Sequence, residues 1–151
     1  MSSFCRCLLE IAAVAERSEM ETTSQSKAAI VRSVLTAISV SYSDLNDSLF
    51  RFSLDGLPSC IIRVRDQGII FYSLYPNRID TQYRKAVAEF LVRVNFALNF
   101  GNFEFNLDDG QVRFKMSVQA TQALDLSAPL KSCLILAQEV YPRWVSGIHL
   151  V

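Results

Sequence analysis

Histidine is almost absent from this chain. The single copy, His149, lies in the last three residues, a tail expected to fray. A serine or cysteine nucleophile normally needs an imidazole base, so the familiar triads lack a partner and His149 reads as a surface residue. Cysteine is sparse as well, at positions 5, 7, 60 and 133. Cys5 and Cys7 have no second pair with which to complete a metal site, and the four are too scattered for a disulfide scaffold. Cys60 and Cys133 fall on apolar faces and read as small buried hydrophobes. Neither sign of charge is in excess: fifteen Lys and Arg balance fifteen Asp and Glu. That removes the long-range attraction on which a general nucleic-acid binder depends. No apolar run approaches the ~20 residues that cross a bilayer. There is no glycine-rich phosphate loop, no nucleophile elbow and no helical pair of metal-binding histidines. The expectation is therefore no catalytic residue, no cofactor and no metal, with neither nucleic acid nor membrane as partner. The cysteine usage suits the reducing cytoplasm.

What is present is a pattern of alternating helices and strands. With 151 residues, half of them apolar, the chain can bury one real core. Residues 1–24 read as an N-terminal extension, partly helical, with Leu8, Leu9, Ile11 and Val14 or Ala15 on overlapping faces. Leu8 to Ala15 resembles a short signal core, but Glu10 interrupts it and Arg6 is the only positive residue before it. Met20 is a second candidate initiator, because the folded pattern begins only after it. Residues 25–151 read as a single α+β domain. Ile30, Val31, Val34, Leu35 and Ile38 predict a helix from Ser26 to about Val40. Ser41 to Ser48 reads as loop. Leu49 to Leu54 alternates as a strand, Asp55-Gly56 turns, and Cys60 to Arg65 and Ile69 to Tyr75 form the next hairpin. Asp80 is the expected cap of a long helix through Phe100, and Ser127 of a last helix that Pro142 breaks or kinks. The order is αβββαββα, with an antiparallel sheet of five strands and the helices on one face.

The middle hairpin is the most suggestive part of the chain. A three-residue loop Asp66-Gln67-Gly68, with Gly68 left-handed, pairs Val64 with Ile70, Ile62 with Tyr72, and Cys60 with Leu74. The other face then carries Ile61, Ile69, Phe71 and Tyr75 beside Arg63, Arg65 and Ser73, which is unusually apolar for a solvent face. Three readings stay open for this patch: it is covered by another part of the chain such as the N-terminal segment, it pairs with a second copy, or it takes a partner peptide.

The passage from Asn95 to Lys115 is the most distinctive. A helix stops at Gly101, Phe103 and Phe105 alternate with Glu104, and Asp109-Gly110 supplies a hairpin turn before Val112, Phe114, Met116 and Val118. The expected pairs are Leu107 with Val112, Phe105 with Phe114, Phe103 with Met116, and Glu104 with Lys115. The element order and the run Asn95, Leu98, Gly101, Phe103, Phe105, Asp108, Gly110, Val112, Phe114 resemble the bacterial YbjN-domain family, in particular its cyanobacterial branch. Glu139-Val140-Tyr141-Pro142 is similar to that group too, and the likeness covers roughly residues 25–145. The resemblance implies a fold like that of type III secretion chaperones, small proteins that often dimerise and hold client segments. It also brings a loose description as a sensory transduction regulator, and no catalytic residue.

The functional expectation is a non-enzymatic protein-binding module (chaperone-like, adaptor or regulatory). Ile61, Ile69, Phe71 and Tyr75 would supply apolar contact to a client segment or second copy, with Arg63 and Arg65 orienting its acidic groups. Two alternatives stand beside it. One is a small enzyme using carboxylates such as Asp44, Asp47 or Glu89, gathered in a deep pocket. The other is a structural subunit of a larger complex.

Overall fold

The structure, a computed structural model, describes residues 27–120 and 126–150. The expected N-terminal extension therefore lies outside the described residues. Six antiparallel strands form one open sheet: β1 (Tyr42–Asn46), β2 (Leu49–Leu54), β3 (Leu57–Arg65), β4 (Gly68–Arg78), β5 (Asn102–Phe105) and β6 (Gln111–Gln119). Their spatial order is β1-β2-β3-β4-β6-β5. Among the described residues three α-helices accompany them: α1 (residues 27–37), α2 (Arg84–Ala97) and α3 (Ser127–Ile148). The α+β class and the antiparallel sheet are as the sequence predicts. The strand count is six rather than five, because Tyr42–Asn46 is a strand where a loop was expected. Its run of serine, aspartate and asparagine carries no apolar alternation, as suits an edge strand that is exposed along nearly its whole length.

The helices form for the reasons legible in the sequence. In α1, Val31, Val34 and Leu35 fall on one face and are fully buried. The helix ends at Ser39, left-handed at φ 58°, with the Val40 amide donating to the Leu35 carbonyl at 3.0 Å. In α2 the buried stripe is Val87, Leu91 and Val94. Asp80 does not cap it: a 3₁₀ turn, Thr81–Tyr83, intervenes, and the Asp80 side chain makes no capping bond. In α3, Ser127 is inside the helix rather than capping it, and the helix continues through Pro142 to Ile148. Burial of Leu130, Leu134, Ala137 and Tyr141 along one face holds it together across that proline.

The sheet gives these helices one apolar face. Phe50, Phe52, Cys60, Ile62, Val64, Ile69, Phe71, Phe103, Val112 and Phe114 all lie in the core. The decisive correction concerns the β3–β4 hairpin. Its loop is Asp66-Gln67, not three residues, so Arg65 pairs with Gly68, Val64 with Ile69, Ile62 with Phe71 and Cys60 with Ser73. A shift of one residue exchanges the faces of a whole strand. Ile69, Phe71 and Tyr75 are 2%, 0% and 4% exposed, and Ile70, Tyr72 and Leu74 stand on the opposite face. The cause is non-local. Gly68 packs against β6 so closely that a Cβ there would lie 2.0 Å from the Val118 carbonyl oxygen. Only a residue without a side chain fits, and its position sets the phase of β4.

The β5–β6 hairpin is displaced by two residues from the expected pairing: Phe105 faces Val112 and Phe103 faces Phe114. A two-residue shift keeps every side chain on its face, so burial does not oppose it. The longer loop is held by its own side chains. Asn106 Oδ1 accepts from the Asp108 amide at 3.0 Å and Asp109 Oδ1 from the Gln111 amide at 2.9 Å. Gly110 is pressed against Ile79, whose amide donates to the Gly110 carbonyl at 2.9 Å.

Strand β5 is an edge, and an edge exposes unpaired backbone groups. Here Asn95 of α2 fills that role: its Nδ2 donates to the Phe103 carbonyl at 2.9 Å, and its Oδ1 accepts from the Phe103 amide at 2.7 Å. The amide side chain thus stands in for a neighbouring strand. Replacing Asn95 with alanine should cost about 2 kcal/mol, read from urea denaturation, because two part-buried backbone groups lose their partners at once. Asn95→Leu should be no better, whatever apolar contact it adds.

Candidate functional site on the open sheet face

The face that the helices leave uncovered is built by strand alternation and register. One cross-strand row runs Ser43, Arg51, Ile61, Tyr72, Lys115, Asn102 through all six strands. Beside it run Leu49, Arg63, Ile70 and Ser117 on one side and Leu74, Arg113 and Glu104 on the other. Ile61, Ile70, Tyr72 and Leu74 make a half-buried apolar centre. Of the residues predicted from the sequence, Ile61, Arg63 and Arg65 lie on this face and Ile69, Phe71 and Tyr75 lie beneath it in the core. Ile70, Tyr72, Leu74, Arg51 and Arg113 were missed. No pattern in the sequence separates the two faces of β4, and the fit of Gly68 against β6 is what decides between them.

The charges are unevenly shared. Arg51, Arg63, Arg65, Arg113 and Lys115 stand on the face, with Glu104 as the one carboxylate in these rows. Glu104 is held by both of its neighbours, with Oε2 2.6 Å from Arg113 Nε and Oε1 2.8 Å from Lys115 Nζ. Burial pushes its carboxyl upward, yet the hydrogen bonds from Lys115 and Arg113 outweigh that and hold it below its ordinary value. The Arg113 guanidinium also sits 4.6 Å from the centre of the Tyr72 ring, which fixes the ring in place. On the β2–β3 side the balance differs. Arg51, Arg63 and Arg65 are exposed and make no ion pair among the described residues. Among the described residues the site is an apolar centre flanked by three guanidiniums without an ion pair, in a chain with zero formal net charge.

Of the carboxylates proposed for an enzymatic alternative, only Asp44 and Asp47 come together, on one guanidinium. Asp44 and Asp47 lie 2.8 and 3.5 Å from Arg32, and Glu89 lies 2.5 Å from Arg93 on α2. An open groove of about 1040 Å³ separates the start of β1 from the first half of α3, and none of these three lines it. Cys60 and Cys133 are buried free thiols, and burial pushes both up to about 12, so neither forms thiolate at neutral pH. His149 is exposed, its Nδ1 3.1 Å from the Tyr75 hydroxyl. Among the described residues no helix is long and apolar enough to cross a membrane.

No protein-family model matches the chain, and no curated protein sequence does. Among solved structures, the fold is similar to the crystal structure of E. coli YbjN, a protein proposed to be a transcription regulator. The TM-score is 0.55 at 14% identity, over 78% of this chain and 84% of that one. The fold is therefore YbjN-like.

Proposed function

We propose that this chain is a non-enzymatic protein-binding module whose open sheet face takes a partner segment carrying apolar side chains flanked by carboxylates. The observation that supports this is the segregation of charge. Five cations and one carboxylate surround Ile61, Ile70, Tyr72 and Leu74, although the chain as a whole is neutral. The apolar centre supplies contact area, and Arg51, Arg63 and Arg65 select acidic groups and steer them in. A second copy is the poorer occupant of this face, since stacking two such faces would oppose like charges. The likeness to YbjN is one of fold; grouping the chain with the YbjN-domain proteins, and with their cyanobacterial branch, is part of this proposal and rests on the Asn95-to-Phe114 passage. The unpaired thiols Cys60 and Cys133 support a cytoplasmic location.

The test uses three synthetic peptides with one apolar pattern and glutamate, glutamine or lysine at the flanking positions, titrated by fluorescence anisotropy. The glutamate peptide should bind at least tenfold tighter than the other two, and more weakly as salt rises. Arg63→Glu with Arg65→Glu should abolish that preference while leaving the thermal midpoint within a few degrees, because both side chains are exposed. Equal binding of all three peptides, or an unaltered preference in the double variant, overturns the reading.

A further inference from the structure

The occupant of this face has a candidate within the chain itself. Helix α1 begins at Lys27, whose side chain is fully buried and whose Nζ donates to the backbone carbonyls of Asp66 and Arg65. The segment that precedes it, residues 1–26, therefore joins the described structure at the β3–β4 turn. Arg65 and Arg63 are the last open-face side chains of β3 before that turn.

The sequence of this segment runs in a matching order. Going back from Lys27, it presents Glu21, Glu19 and Glu16 first, with Arg17 among them, and then the mainly apolar run Val14, Ile11, Leu9 and Leu8, which Glu10 interrupts. Going away from the turn, β3 presents Arg65 and Arg63 first, and then Ile61 beside Tyr72. Laid along β3 from the turn, the acidic residues would come first to the guanidiniums and the apolar residues next to the apolar centre, without any reversal of direction. The distance is short for the chain available. Ile61 is four residues from Arg65, about 13 Å along a strand, whereas the ten residues 17–26 reach up to about 33 Å. Residues 1–26 hold four carboxylates against Arg6 and Arg17 as their only guanidiniums, a net charge opposite to that of the face.

We infer that residues 8–21 are the resident ligand of the open face, docking in cis and competing with partner segments of the same chemistry. This inference rests on the binding role of the face. A tethered segment acts at an effective concentration in the millimolar range, so even a weak intrinsic contact blocks the face for much of the time. Partner binding then requires displacement, which makes the face regulated rather than permanently open.

The experiment uses the full chain and two measurements. First, the glutamate peptide is titrated against the wild type and against Glu16→Gln, Glu19→Gln, Glu21→Gln. The neutralised chain should bind it roughly fivefold tighter. Second, a maleimide nitroxide is attached at Cys5 and Cys7, the thiols of Cys60 and Cys133 being buried. Amide resonances of Ile61, Ile70 and Tyr72 should broaden more than those of the outer face of α3, and the excess should vanish in the neutralised chain. Equal peptide affinity with no preferential broadening overturns the cis docking and leaves the binding role of the face standing. Preferential broadening in a chain that binds no peptide, neutralised or not, supports the cis contact and overturns the binding of partners. Neither binding nor broadening overturns both.

Discussion

Ile69→Ser combined with Phe71→Ser should leave no cooperative unfolding transition, whereas Ile70→Ser with Tyr72→Ser should fold and lose the acidic peptide. The two pairs are adjacent in sequence and similar in chemistry, and differ in the face they occupy. Ile69 and Phe71 are almost wholly buried, and Phe71 packs against Phe52 with ring centres 6.3 Å apart. Truncating each removes most of a core side chain, costs about 3 kcal/mol or more, and places a hydroxyl where it has little to bond. Together these losses are of order 6 kcal/mol, comparable to the whole stability of an ordinary domain. Ile70 and Tyr72 are half-buried on the uncovered face, so their loss should cost about 1–2 kcal/mol and be felt chiefly in binding. Circular dichroism against urea separates the outcomes. A folded Ile69/Phe71 variant would show that the β4 register described above is wrong.

Gly68→Ala should be the most damaging single methyl group in the chain. The added Cβ would lie 2.0 Å from the Val118 carbonyl oxygen and 3.0 Å from the Ala120 amide nitrogen, all backbone that cannot swing aside. The φ of +142° is itself one that alanine rarely adopts. Strain and overlap together should cost upwards of about 3 kcal/mol, read as a fall in the urea midpoint with little change in slope. Relief is available only by parting β4 from β6 or by slipping the hairpin. The slip would carry Ile69 and Phe71 out of the core. An alanine variant with wild-type stability would remove Gly68 as the residue that sets the register.

That same residue explains how far the sequence could be read. Helical spacing placed all three helices, because Val31, Val34 and Leu35, or Val87, Leu91 and Val94, admit only one buried face. Strand β3 was equally clear, since Cys60, Ile62 and Val64 alternate with Ile61, Arg63 and Arg65. Hence those last three were expected on the face opposite Cys60, Ile62 and Val64, where the strand pairing places them. Strand β4 was not, because Ile69, Ile70, Phe71, Tyr72, Leu74 and Tyr75 are apolar or aromatic in both phases. Alternation is silent there, and the choice falls to a contact between Gly68 and β6 that is distant in sequence. The short polar strand β1 escaped for the opposite reason, having no apolar residue to bury except Tyr42 and Leu45. The clamp of Arg113 and Lys115 on Glu104 was half visible as a predicted cross-strand pair. Its threefold form, and the seating of Arg113 on Tyr72, depend on how β4, β5 and β6 come together.

The amide of Asn95 carries one more consequence, for assembly. Because it occupies the hydrogen-bonding positions of Phe103, no foreign strand can join that rim without first evicting it. The opposite rim, β1, has no such guard among the described residues. Any self-association that lengthens the sheet through β1 by a two-fold axis would present only guarded rims outward, and so would terminate at a pair instead of growing into a fibre.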